Sequence, residues 1–141
     1  MLKAFKPDVL VTQMGVDSLR TDPLTRLEMT TGIIEFAARE FLATEIPWVC
    51  LGGGGYEKLN VARCWALLWS IIIGVDVPDP LPSRFVAKIR ELGYAERLLR
   101  DRPHCAQPND FARAQEALDK NLALLQRRLF PLHGIVPGES R

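Results

Sequence analysis

The chain has 141 residues, 48% apolar and 25% charged, the proportions of an ordinary soluble globular protein long enough to bury one core. Lys plus Arg total 18 against 17 for Asp plus Glu, so no basic field points to nucleic acid or to an anionic membrane. The amino terminus lacks the apolar run of a secretory signal, and the longest apolar stretch, Val61 to Ile73, is broken by Arg63 and Ser70 and is shorter than the ~20 residues of a membrane span.

In chain order, Pro7 and Asp8 introduce Val9-Leu10-Val11-Thr12-Gln13-Met14, a β-branched run of strand length. Its near-continuous apolar character suits a strand covered on both faces, as in a parallel sheet. Gly15 ends it and Asp17 follows in the exit loop. Ser18 to Glu28 reads as loop, with Asp22-Pro23 as a turn signal. Thr30 or Thr31 is placed to cap a helix reaching about Ala43, with Ile33, Ile34, Ala37, Ala38, Phe41 and Leu42 on one face.

Ile46-Pro47-Trp48-Val49-Cys50-Leu51 predicts a second short buried strand, stopped by Gly52-Gly53-Gly54-Gly55. Asn60 is a suitable N-cap for a helix over Val61–Ile73, and Gly74 a suitable stop. That helix is apolar almost all round, which predicts burial on every side. The proline-rich run Asp76–Pro82 reads as a stiff connector, and Ser83–Leu92 as a short helix turning Phe85, Val86 and Ile89 inward. Asp110 to Leu129 reads as a long helix whose stripe of Phe111, Ala114, Leu118, Leu122, Leu125 and Leu129 is expected to dock on the core. Cys50, Cys64 and Cys105 form no CxxC pair and read as reduced, structural thiols, so the expected compartment is the cytoplasm.

Strand, helix and strand in this order predict a β-α-β unit with parallel strands, both ending on one side of the sheet. Asp17 and Tyr56 then fall in loops at the carboxyl edge, where open α/β sheets bind ligands. Taken singly, each residue has a plainer reading. Asp17 suits a turn, Tyr56 suits packing, and the glycine run suits a loop or, less well, a phosphate cradle, since it lacks GxGxxG spacing and a Walker lysine.

In combination they carry more. Phe5-x-Pro7-Asp8, Gln13-Met14-Gly15-Val16-Asp17-Ser18-Leu19 and Asp22-Pro23-Leu24, then Leu51-Gly52-Gly53-Gly54-Gly55-Tyr56 with Asn60-Val61-Ala62-Arg63-Cys64-Trp65, resemble the C-terminal part of the zinc-dependent histone deacetylase superfamily. The resemblance covers roughly residues 5 to 82 and is nearest to the bacterial acetoin-utilisation (AcuC-like) deacetylases. It implies the C-terminal part of an arginase/deacetylase-type three-layer α/β/α fold with a parallel sheet, here with a motif-bearing part (1–82) and a helical tail (83–141).

By resemblance, Asp17 is a ligand of a catalytic Zn2+ and Tyr56 donates a hydrogen bond to the acetyl oxygen of the substrate, an acetylated lysine or small acetylated amine. Leu24 would line the acyl tunnel. Gly53, Gly54 and Gly55 would shape its wall where a side chain would occupy substrate space. Eukaryotic class I relatives carry basic residues where this chain has Pro23 and Leu59, a departure that argues against their inositol phosphate regulation here.

A catalytic zinc takes about three protein ligands and an open position. In the family the others come from an Asp-x-His motif, and a His pair assists; these lie earlier than anything in this chain, whose histidines are His104 and His133. Both read as surface or packing residues. The expectation is therefore a fragment whose partner is the missing N-terminal part of the same domain, binding zinc poorly and inactive alone. Two other readings stay open: a non-catalytic remnant that associates through an exposed strand edge, and a phosphate- or nucleotide-binding module.

Overall fold

The run after Pro7-Asp8 forms β1, Leu10–Gln13, and the run after Pro47 forms β2, Trp48–Leu51, in a computed structural model that describes residues 1–103 and 107–136. Both strands are shorter than expected. They pair in parallel, from Leu10 opposite Trp48 to Gln13 opposite Leu51. The pairing continues past the strand ends, where Met14 N–H donates to Leu51 O (2.8 Å) and Val16 N–H to Gly54 O (2.6 Å). The crossover between them holds α2, Gly32–Leu42. The expected β-α-β unit is present.

These elements belong to a compact unit spanning Val9–Pro103. Its core is Met14, Val16, Leu19, Ile34, Ala38, Cys64 and Leu68, flanked by Phe41, Trp48, Cys50 and Val61. Trp48 lies 5.5 Å from the Phe41 ring and donates Nε1–H to Thr12 Oγ1 at 2.8 Å, so this large side chain is packed and its polar end satisfied. One face of the sheet is thereby covered. The other, with Val11, Gln13, Val49 and Leu51, is exposed among the described residues, so the cover expected on both faces is found here on one.

Helix α3 runs Lys58–Ile72 and starts earlier than expected. Its N-cap is Glu57, whose carboxylate accepts from Leu59 N–H (3.2 Å) and Asn60 N–H (2.7 Å). A carboxylate there satisfies the first-turn donors and suits the positive end of the helix dipole. Asn60 is instead buried in the first turn and donates Nδ2–H to Thr21 Oγ1 at 2.8 Å. Gly74 does stop the helix. It adopts φ +69, its N–H donates to Ile71 O (3.1 Å), and Val75 N–H donates to Ser70 O (2.9 Å), a Schellman arrangement. Burial on every side is not realised: Leu67, Leu68 and Cys64 face inward while Trp69 is 62% exposed.

Helix α4, Ser83–Glu91, buries Ile89 and half-buries Phe85 and Val86, as expected. The stretch beyond it returns to the core. Leu81 N–H donates to Arg97 O (2.8 Å) and Leu99 N–H to Asp79 O (2.7 Å). Arg63, only 5% exposed, donates from Nε to Leu98 O (2.9 Å) and Leu99 O (3.2 Å), and from Nη2 to Asp101 Oδ1 (2.6 Å). Asp101 in turn accepts Thr31 N–H (3.0 Å) and donates its own N–H to Thr31 Oγ1 (2.8 Å). Thr31 does stand at the N-cap of α2, yet its hydroxyl is engaged by Asp101 and does not cap. Arg100 pairs with Glu35 at 3.1 Å, tying the same stretch to α2.

The second unit contains α1, Leu2–Phe5, the long helix α5, Pro108–Arg128, and a 3₁₀ turn, Phe130–His133. Within this unit α5 buries none of its residues, and Phe111, Leu118, Leu122 and Leu125 are exposed. Nothing within the described part of this unit covers that face. His133 packs edge-on against Phe5 with ring centres 5.9 Å apart, a packing histidine as expected. His104 and Cys105 lie outside the described residues.

Candidate active site

Two loops leave the carboxyl ends of β1 and β2 side by side. The first, residues 14–29, closes on itself: Arg20 N–H donates to Met29 O (3.0 Å) and Met29 N–H to Ser18 O (3.2 Å), with a bridge between Leu19 and Met29. Val16 and Leu19 anchor it in the core, each 1% exposed. Asp17, between these anchors, is half-buried. Its backbone carbonyl accepts the Thr25 hydroxyl, which draws the far side of the loop toward it.

The second loop is Gly52–Gly55, and its glycines answer to the chain's own atoms. A Cβ on Gly54 would collide with the Asp17 carboxylate, and one on Gly53 with the Gln13 amide. A Cβ on Gly52 would stand 2.8 Å from the Trp65 ring, and one on Gly55 2.7 Å from Val16 Cγ2 and 2.8 Å from Val61 Cγ2. Gly55 also adopts φ +154, a conformation side chains disfavour. The expectation that a side chain would occupy substrate space is thus joined by a local cause. These positions are filled by the protein itself.

The fold therefore brings Asp17 and the glycine loop into direct contact, with Tyr56 next along the chain. The Tyr56 side chain is 55% exposed, and Leu24, on the neighbouring loop, is 69% exposed. A phenol so exposed is free to donate to a bound group, and the Leu24 backbone is tied to the same Asp22 carboxylate as that of Tyr56.

Asp22 joins the two loops. Its Oδ1 accepts from Leu24 N–H (2.9 Å) and Thr25 N–H (3.3 Å), and its Oδ2 accepts from Tyr56 N–H (2.9 Å). The residue is 6% exposed. Burial by itself raises the carboxyl pKa, but the N–H groups of Tyr56, Leu24, Thr25 and Glu57 outweigh it, so it lies below the ordinary 3.8. Sequence reasoning recognised Asp22-Pro23 as a turn and missed the link to Tyr56. The local signal, an aspartate two residues before a free N–H, was visible; the partner across the loops was not.

Two cysteines lie in the same unit. Cys64 is buried and its thiol is pushed up to about 12 by burial, against a lowering by Arg63, while Cys50 is half-buried and also raised by burial. Both are unbridged, as expected. A cavity of about 430 Å³ between α3 and the 77–85 stretch is lined by Ala62, Ala66, Val77, Pro80, Phe85 and Leu99 among others, and by neither Asp17 nor Tyr56.

A zinc centre fits these residues only in part. Asp17 offers a carboxylate oxygen of the right chemistry, but among the described residues no three His, Cys, Asp or Glu side chains converge to hold a metal.

The chain belongs to the histone deacetylase family. The model of the histone deacetylase domain matches residues 1–72. Histone deacetylase 8 of Xenopus laevis is 32% identical over 124 residues, covering 87% of this chain and 37% of that protein. The acetoin utilization protein AcuC of Bacillus subtilis is 37% identical over 90 residues, covering 60% of this chain and 23% of that protein. Among solved structures, an HDAC homologue from Aquifex aeolicus superposes with a TM-score of 0.64 at 23% identity, covering 84% of this chain and 36% of that chain. The α/β fold is therefore of the arginase/deacetylase type. The matched part of this chain spans between about a quarter and little more than a third of the length of these relatives.

Proposed function

We propose that this chain supplies one zinc-binding aspartate, Asp17, and one oxyanion-stabilising tyrosine, Tyr56, to a deacetylase that hydrolyses acetyl-lysine or a related small acetylated amine. The other zinc ligands and the histidine pair would come from an N-terminal part of the same domain, outside these residues. The observation that carries this reading is the contact between the Asp17 carboxylate and Gly54, two residues before Tyr56, in a chain of this family. Zinc bound in such a site supplies Lewis acidity toward water and the acetyl carbonyl. The chain's own phenol donates a hydrogen bond to the carbonyl oxygen as it gains charge, and a positioned donor of this kind contributes on the order of 3 kcal/mol.

The test is an acetyl-lysine hydrolysis assay on this chain alone and on the same chain preceded by an N-terminal deacetylase segment carrying the Asp-x-His motif and His pair. The expected outcome is no turnover alone, turnover in the joined protein, and its loss in Asp17→Ala. Robust Asp17-dependent turnover from this chain alone would overturn the division of the site.

A second reading draws on the uncovered sheet face of Val11, Val49 and Leu51 and on the exposed stripe of α5. On that reading the chain is a non-catalytic remnant that associates with another chain. In-frame codons upstream of Met1 for Asp-x-His and His-His would favour the deacetylase reading; a ribosome-binding site placed for Met1 would favour the remnant.

A further inference from the structure

We infer that Asp22 is a positioning residue for Tyr56, clamping the glycine loop to the Asp17 loop through one buried carboxylate. The inference rests on the deacetylase reading for its catalytic meaning, while the clamp itself stands on geometry. Oδ2 takes the backbone N–H of Tyr56, and Oδ1 takes Leu24 and Thr25, so both oxygens are committed and to different loops. Thr25 closes the circuit, because its hydroxyl donates to Asp17 O. The chain thus runs from the Asp17 backbone through Thr25 and Asp22 to the Tyr56 backbone. Asp22 spans the gap with a side chain, and Val16 N–H to Gly54 O at 2.6 Å ties the two loops through the backbone.

A short acidic side chain suits the task chemically. An ionised carboxylate accepts at both oxygens, and hydrogen bonds to a charged acceptor are stronger than neutral ones. The glycine loop lacks side chains with which to fix itself, so the residue that ends it is held from outside. Without the clamp, Tyr56 would keep its chemistry and lose its place relative to Asp17.

The experiment is amide hydrogen exchange by NMR on the full chain, comparing wild type with Asp22→Asn and Asp22→Ala. Asn keeps one accepting oxygen, and the two N–H groups of the local turn claim it, while its Nδ2 cannot accept from Tyr56. The Tyr56 amide is expected to exchange about tenfold faster or more in Asp22→Asn, with Leu24 and Thr25 little changed and Met14 as a control for the sheet. Asp22→Ala is expected to release all three.

A measurement on the wild type guards against a variant that fails to fold. On acid titration, the amide shift of Tyr56 is expected to move with the same midpoint as those of Leu24 and Thr25, because one carboxylate serves them all. A turn former with no positioning role leaves Tyr56 exchanging at the wild-type rate in both variants, or titrating apart from Leu24. Either result overturns the proposal. Neither depends on turnover, so a failure of the deacetylase reading is recognised separately, by an inactive joined protein in which Tyr56 is still clamped.

Discussion

The carboxylate of Asp17 occupies the space in which a side chain on Gly54 would stand. Two loops that are far apart in sequence therefore touch through an absence, and the missing Cβ is what permits the approach. Consequences follow for stability and for the site.

Gly54→Ala is expected to push the Asp17 carboxylate aside and to cost about 1–3 kcal/mol, the range for overpacking a site whose neighbour is close. Urea unfolding gives the stability, and the Asp17 side-chain shift in NMR gives the displacement. An unchanged midpoint together with an unchanged Asp17 shift would show that the loops are looser than described.

Tyr56→Phe separates place from chemistry. The half-exposed phenol makes little of the fold, and the Tyr56 N–H to Asp22 is kept, so stability should stay within about 0.5 kcal/mol. In a complete site the same change should lower turnover roughly 10²–10³-fold, the cost of losing one oxyanion donor. Undiminished turnover would remove Tyr56 from the proposed role.

Arg63→Ala is expected to be the most damaging of these substitutions. It removes the donor to Leu98 and Leu99 and leaves Asp101, a partner of Thr31, without its cation; breaking a fully buried pair costs about 3–5 kcal/mol, and with Asp101 26% exposed the loss should fall toward the lower end. Asp101→Ala should cost less, because Arg63 keeps its two carbonyls. Chemical denaturation of both variants orders them, and equal losses would show that the carboxylate matters more than the carbonyls.

Cys64 makes an alkaline prediction. Its folded pKa of about 12 lies above the ordinary 9.0, so the folded state holds its proton more tightly than the unfolded chain. The resulting stability is fully present below about pH 9 and is lost as pH rises toward 12. Native iodoacetamide labelling at neutral pH should modify Cys50 well before Cys64. Equal labelling would mean that the α3 core opens readily.

Much of this arrangement is legible in the sequence, and the failures are specific. The β-branched runs, the apolar spacing of α2 and the Gly74 stop of α3 act through neighbours a few residues away, so local pattern reports them. Asn60 suits an N-cap by residue type, yet Glu57 caps α3, while the Asn60 amide bonds Thr21 on another loop. Helix α3 looked buried all round, but composition does not say which sides find cover, and Trp69 finds none in this unit.

The sequence by itself determined the β-α-β order, the acid after β1, the glycine run before Tyr56 and the family these make together. Each depends on residue type, spacing and the short-range sterics of the backbone. Only the tertiary structure decided that Gly54 yields its space to Asp17 and that Asp22, read as a turn former, holds the Tyr56 backbone. Those relations depend on where two loops meet at the end of a parallel pair. A hydrogen bond between them is set by that meeting, and neither loop carries it alone.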